Sequence, residues 1–202
     1  MIKLIDLIKE ESSKIIIPRN IEGRKEQHVR VAQQRIQDYI ENGSKNHLNL
    51  MNVPITSLPD NLKKVGRNLI LKNTKILSLP DNLKVNGYLD LTGTPIESLP
   101  DNLQVELSLF LTNTKISSLP DNLQVKGSLF LTNTKISSLP NNLQVDGHLY
   151  LENTLIKSLP DNLQVRGGLN LKNTPIAEKH SKEEIEKMIQ ATGGHVKGNI
   201  WI

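Results

Sequence analysis

The dipeptide Leu-Pro recurs at Leu58-Pro59, Leu79-Pro80, Leu99-Pro100, Leu119-Pro120, Leu139-Pro140 and Leu159-Pro160. The first step is 21 residues and every later step is 20. A period this short and regular admits few folds. A unit of 20 residues is too small to enclose a core alone, so successive units must stack and share one.

The unit reads Leu-Pro-Asp-Asn-Leu-x-Val-x-Gly-x-Leu-x-Leu-x-Asn-Thr-x-Ile-x-Ser. Within it apolar residues alternate, as in Leu103, Val105, Leu107, Leu109 and Leu111. That is the pattern of a strand with one buried face. Gly87, Gly127, Gly147 and Gly167 occupy the slot that Leu107 fills, which reads as an inward position with a bend or a close backbone approach. The column Thr74, Thr94, Thr114, Thr134, Thr154 and Thr174 is placed to bond the backbone where the chain leaves the strand. Ile76, Ile96, Ile116, Ile136, Ile156 and Ile176 return to the core, and Pro-Asp-Asn turns the chain back. The extra residue of the first step falls in Leu62-Lys63-Lys64-Val65 and predicts a small bulge.

The pattern runs past the Leu-Pro units. His47-Leu48-Asn49-Leu50 supplies a first strand, and Val196 to Ile202 matches Val-x-Gly-x-Leu-x-Leu as a last one. The expectation is an α/β chain with one parallel sheet of about eight strands, centred near residues 49, 70, 90, 110, 130, 150, 170 and 201. At about 4.8 Å per strand the stack is roughly 34 Å long. Helical signals flank it. Glu22 to Asn42 carries Val29, Ala32, Ile36, Tyr39 and Ile40 at helical spacing before Gly43, and residues 1–11 predict a shorter helix. Ser181 and Glu184 have capping-box spacing ahead of a helix that Gly193-Gly194 ends. The divisions are an N-terminal helical segment or cap over 1–46, a solenoid over 47–176, and a capping helix with a final strand over 177–202. Whether 1–46 is a cap or a second binding surface stays open at this point.

Composition narrows the function. Aromatic residues are only 3% of the chain against 37% hydrophobic, so the core must be Leu, Ile and Val. The net charge of +4 is spread along the sequence, unlike the dense basic face of a nucleic-acid binder. No cysteine is present, which excludes disulfides and thiolate metal sites. No apolar run approaches the ~20 residues of a membrane helix. These features predict a soluble cytoplasmic protein.

The alternation sorts outward residues into columns. One holds Asn49, Ile70, Asp90, Phe110, Phe130, Tyr150, Asn170 and Trp201; another holds His47, Asn68, Tyr88, Ser108, Ser128, His148, Gly168 and Asn199. Five of the six aromatic residues fall in these two columns. One reading is a ladder that stiffens the sheet. The other is an interaction surface, since contiguous exposed apolar groups mark binding sites. On that reading the partner-contacting residues are Tyr88, Asp90, Phe110, Phe130, His148, Tyr150, Asn170 and Trp201. Glu106, Lys126, Asp146 and Arg166 alternate in sign, so neighbouring rungs pair opposite charges, and Gln104, Gln124, Gln144 and Gln164 read as an amide ladder. Asp60, Asp81, Asp101, Asp121 and Asp161 read as turn residues. The five histidines share no metal or catalytic spacing, and no nucleotide or zinc motif appears. No enzyme activity, metal or cofactor is expected.

The unit Leu-x-Leu-x-Asn-Thr-x-Ile-x-Ser-Leu-Pro-x-Asn-Leu resembles the bacterial leucine-rich repeats of about 20 residues. The leading helices, the Asn-Gly-Ser-Lys entry at Asn42–Lys45 and the ending Glu183–Gly198 are similar to leucine-rich-repeat proteins of tailed bacteriophages. That resemblance implies a right-handed solenoid and a protein partner in the host cytoplasm, with antagonism of a host defence as the role. Some bacterial effectors of this repeat type carry a ubiquitin-ligase domain with a cysteine nucleophile; this chain has no cysteine, so that activity is not implied. The competing function is single-stranded nucleic-acid binding with Phe110, Phe130 and Tyr150 as stacking platforms. Salt separates the two, because phosphate binding weakens steeply as salt rises.

Overall fold

Each 20-residue unit makes one coil with two short strands, and the coils stack into a parallel β-solenoid. The computed structural model describes residues 21–121 and 123–202. The expected helix over residues 1–11 lies outside them. Within a unit, Gln104–Val105 forms one strand and Leu109–Phe110 another, with a bend between them. The first strands of successive coils build a seven-stranded sheet from Lys64–Val65 to His195–Val196; the second strands build an eight-stranded sheet from Leu48–Asn49 to Ile200–Trp201.

The single sheet read from the alternation is therefore a correction: there are two. The eight expected strands are those of the longer sheet, and all are parallel and in register, with Phe110 opposite Phe130 and Phe130 opposite Tyr150. The seven-stranded sheet was hidden because alternation continues unbroken across the bend. Leu103, Val105, Leu109 and Leu111 are buried, but Leu107 sits on the bend and is 53% exposed. Leu107 faces out at the corner, contrary to the inward slot read from the sequence, and the glycines of its column lie against the backbone of the preceding coil.

Glycine fills that corner because coils approach there backbone on backbone. A β-carbon on Gly147 would stand 2.7 Å from the Ser128 nitrogen and 2.8 Å from the Gly127 carbonyl carbon. A bond ladder runs down the column, from the Gly147 N–H to Gly127 at 3.0 Å and from the Gly167 N–H to Gly147 at 2.8 Å. The bond donated by Leu107 to Gly87 is 3.2 Å, the longest of that column.

The core is a set of vertical rows, one residue type per row. In the coil of Leu103, the side chains of Val105, Leu109, Leu111, Ile116 and Leu119 are all buried. Each buried aliphatic side chain contributes about 1.5–3 kcal/mol. The threonine column is buried too. Each hydroxyl donates to the leucine carbonyl three residues earlier, as Thr114 does to Leu111 at 2.7 Å. The residue before each threonine closes this turn with a left-handed backbone, φ near +57° at Asn73, Asn113, Asn133, Asn153 and Asn173. Asparagine tolerates that conformation at modest cost. The extra residue of the first step is absorbed between Leu62 and Lys64, since Lys64 already aligns with Lys84.

Helix α1 (Ile21–Glu41) packs on the first coil through Ala32 and Ile36. Its Arg35 donates to the Asn49 carbonyl at 3.1 Å, and Tyr39 donates to Asn46 at 2.7 Å while accepting from the Gly66 N–H. The opposite end differs. Helices α2 (Pro175–Lys179) and α3 (Lys182–Ala191) lie within the last coil, between the strands Leu169–Asn170 and His195–Val196. The expected capping box is formed, with Ser181 Oγ accepting from Glu184 and the Glu184 carboxylate accepting from Ser181. Ile185 and Ile189 are buried, and the chain then returns to add the final strand opposite Leu169–Asn170.

Gly147→Ala is expected to destabilise the chain by about 1–3 kcal/mol, because the added methyl meets backbone that cannot move aside. Thermal unfolding measures it; an unchanged melting temperature contradicts the close approach at the corner.

Candidate functional site

The outward face of the eight-stranded sheet carries the aromatic residues. Because the strands are in register, a side chain on one rung lies above its counterpart on the next. Phe110 and Phe130 stack with ring centroids 4.5 Å apart and planes 9° from parallel; Phe130 and Tyr150 stack at 4.5 Å and 8°. Tyr88 closes one end of this ladder, meeting Phe110 edge-on at 5.7 Å. Asp90, between Ile70 and Phe110, turns its carboxylate back onto its own chain and accepts from the Thr92 N–H at 2.9 Å. Asn170 does the same toward Lys172. His148 lies 5.8 Å from Tyr150 and 6.2 Å from Trp201, tilted by 37° to each. The sequence-derived residues thus share one face, but only Phe110, Phe130 and Tyr150 form a continuous stack.

Stacking decides what the face can offer. Both faces of Phe130 are covered by rings, so a ligand meets ring edges there. Aromatic edges carry partial positive charge and favour carbonyl oxygens and other ring faces. A nucleobase needs a free ring face, and the middle of the ladder has none. The remaining charges of the face are balanced, with Asp90 and Glu152 against Lys72 and Lys172.

The neighbouring column has a role that sequence reasoning missed. Its side chains accept from backbone N–H groups one coil on: Asn68 from Tyr88 at 3.1 Å, Ser108 from Ser128 at 3.1 Å, Ser128 from His148 at 3.0 Å, and His148 Nδ1 from Gly168 at 2.9 Å. Residues as unlike as Asn, Ser and His share the column because each presents an acceptor close to its backbone. The signal available was that shared chemistry.

The amide ladder is also elsewhere than expected. Gln164 bonds the Gly193 carbonyl, and no bond joins one column glutamine to the next among the described residues. The ladder is made by the left-handed asparagines: Asn133 donates to Asn113 at 2.8 Å, Asn153 to Asn133 at 2.7 Å, and Asn173 to Asn153 at 2.8 Å. Gly93 interrupts it. The alternating charges pair in part. Lys126 bonds Glu106, Arg166 meets Asp146 at 3.3 Å, and Lys84 reaches Glu106 at 3.3 Å. The hydrogen bonds from Lys126 and then Lys84 hold the Glu106 carboxyl below its usual range. These groups belong to the seven-stranded sheet, as does an open polar cleft of about 500 Å³ lined by Asp121, Lys126 and Asp146.

No known protein family matches the chain, and a search of curated proteins finds no relative. Among the described residues, no helix is long and apolar enough to cross a membrane.

The acceptor column gives a sharp test. His148→Ala leaves the Gly168 N–H without its acceptor and is expected to cost about 1 kcal/mol, whereas His148→Ser, the residue of the two preceding coils, is expected to retain most of it. Chemical denaturation compares them; equal losses contradict the column.

Proposed function

We propose that the chain is a leucine-rich-repeat, right-handed solenoid that acts without catalysis or cofactor, as a protein-binding module. The partner meets the outer face of the eight-stranded sheet, with Phe130 at the centre and Tyr88 and Trp201 nearer the edges. The observation that carries this reading is the concentration of aromatic residues: five of six in the chain lie on one outward face. A core built wholly of aliphatic residues does not need them there. Tyr, Trp and Phe are enriched at interfaces, and Tyr and Trp dominate hot spots.

Three further features support a protein over a nucleic acid. The ladder presents edges, and Phe130 has no free face for a base. The charges of the face cancel, so it offers no field to phosphates. The face is held by sheet bonds and stacking, so binding orders few side chains and loses little entropy. The resemblance to tailed-phage proteins makes a host protein the expected partner, met in the host cytoplasm, with blockade of a host defence as the role.

Phe130→Ala is expected to keep its circular dichroism spectrum, because the ring points away from the core. Binding to proteins captured by the wild-type chain from bacterial lysate is expected to fall by about 2 kcal/mol, roughly 30-fold. Binding by the wild-type chain should change little between low and high salt. Unchanged binding by the variant, or a steep loss with salt, contradicts the reading.

A further inference from the structure

The aromatic ladder stops at Asn170. This rung lies in register with Tyr150 on one side and Trp201 on the other. At about 4.8 Å per rung, the backbones that carry the two aromatic residues are roughly 9.6 Å apart. The stacked rings are 4.5 Å apart, so a flat group stacked on Tyr150 would occupy the Asn170 rung. Asn170 does not fill it. Its side-chain oxygen accepts from the Lys172 N–H at 3.1 Å, which turns the short side chain along its own strand. Trp201 leans back over Gly168, where a β-carbon would stand 2.3 Å from the indole ring. It thereby approaches His148, which in turn adjoins Tyr150. Three aromatic side chains border the interval.

Glu152 adds charge beside it. It lies two residues beyond Tyr150, faces outward and is half-buried. Glu97, Glu106 and Asp146 each meet a lysine or arginine, but the Glu152 carboxylate has neither an ion-pair nor a hydrogen-bond partner among the described residues. Lys172, its neighbour on the next rung, makes no ion pair with it. His148 Nδ1 accepts from the Gly168 N–H, which holds its ring beside the interval.

We infer that the interval receives an arginine side chain of a protein partner, its guanidinium stacked on Tyr150 beside Trp201 and its N–H groups bonded to Glu152. The inference rests on the aromatic face being the partner surface. Guanidinium is flat, is attracted to the faces of Tyr and Trp, and pairs with carboxylate through two parallel hydrogen bonds. A lysine ammonium is a compact, strongly hydrated charge without that planarity. A neutral ring or a base would stack on Tyr150 as well but leave Glu152 without a partner.

Trp201 is the only tryptophan, so its fluorescence reports on the interval directly. The probes are peptides selected from a random displayed library against the wild-type chain, then synthesised with their arginine kept or replaced by lysine. Selected peptides are expected to be rich in arginine and to change Trp201 emission. They should bind about tenfold more weakly when arginine becomes lysine, and about tenfold more weakly to Glu152→Gln. Asn170→Phe supplies the missing ring, so it should abolish the arginine preference while raising the melting temperature. If Asn170→Phe does not fold, the arginine-to-lysine exchange and Glu152→Gln decide. Peptides that need Phe130 but show no arginine preference, or ignore Glu152→Gln, overturn this inference and leave the proposed function standing. Selection of no peptide, or of peptides indifferent to Phe130→Ala, overturns both.

Discussion

Backbone N–H groups of one coil bond the carbonyls of its neighbour down both sheets, and this sets every residue about 4.8 Å from its own counterpart. Each column must therefore hold a residue type that tolerates its own copy at that distance. Leu, Ile and Val do so by packing, and they fill the interior. Asparagine does so by donating its amide to the next asparagine oxygen. Carboxylates repel their own copies, so Glu106 is followed by Lys126 and Asp146 by Arg166, whereas the aspartates that follow one another at the proline turns stand exposed to solvent. At the tightest corner Gly127, Gly147 and Gly167 follow one another, while Leu107 turns its side chain outward there.

The same rule turns aromatic residues into a stack. Flat rings at this spacing lie face to face, and the planes of Phe110, Phe130 and Tyr150 are within 10° of parallel. The stack is rigid because the sheet beneath it is rigid, and it is nearly featureless along its length because its rungs repeat. Specific chemistry enters where the repetition breaks: at Tyr88, which turns edge-on, and at Asn170, which withdraws from the ladder. A surface made by repetition is individual mainly at its irregular rungs. His148, Glu152 and Trp201 lie near one such break, so that end of the face carries more varied chemistry than its middle.

Much of this was legible in the sequence because a 20-residue period writes register directly into the numbering. The longer sheet, its outward columns, the buried isoleucine column, the backbone-bonding threonines and the final strand at Ile200–Trp201 follow from spacing and residue type. The second sheet did not. Alternation has the same form in a straight strand and in a bent one, and Leu107 read as core because it obeys the alternation. Glycine in that column in five other coils, at Gly87, Gly127, Gly147, Gly167 and Gly198, was the sign that no large side chain packs there. The asparagine ladder was hidden for another reason: the asparagine next to each threonine looked like turn chemistry, and its cross-coil bond appears only once the coils are stacked. The aromatic ladder was legible, since Phe110, Phe130 and Tyr150 fall on consecutive rungs, but the edge-on turn of Tyr88 depends on a side-chain rotamer that spacing does not encode.

The account stands on the rings of the ladder being stacked in solution, with Phe130 enclosed between Phe110 and Tyr150. Nuclear magnetic resonance of the aromatic protons reads this directly, and two phenylalanines and three tyrosines make the assignment tractable. A proton held over the face of a neighbouring ring is shifted upfield. The predicted result is a strong upfield shift for the Phe130 ring protons, partly relieved in Tyr150→Ala and largely relieved when Phe110→Ala is added. Phe130 ring protons at the positions of a free phenylalanine, unmoved by either substitution, would contradict the ladder and the surface built on it.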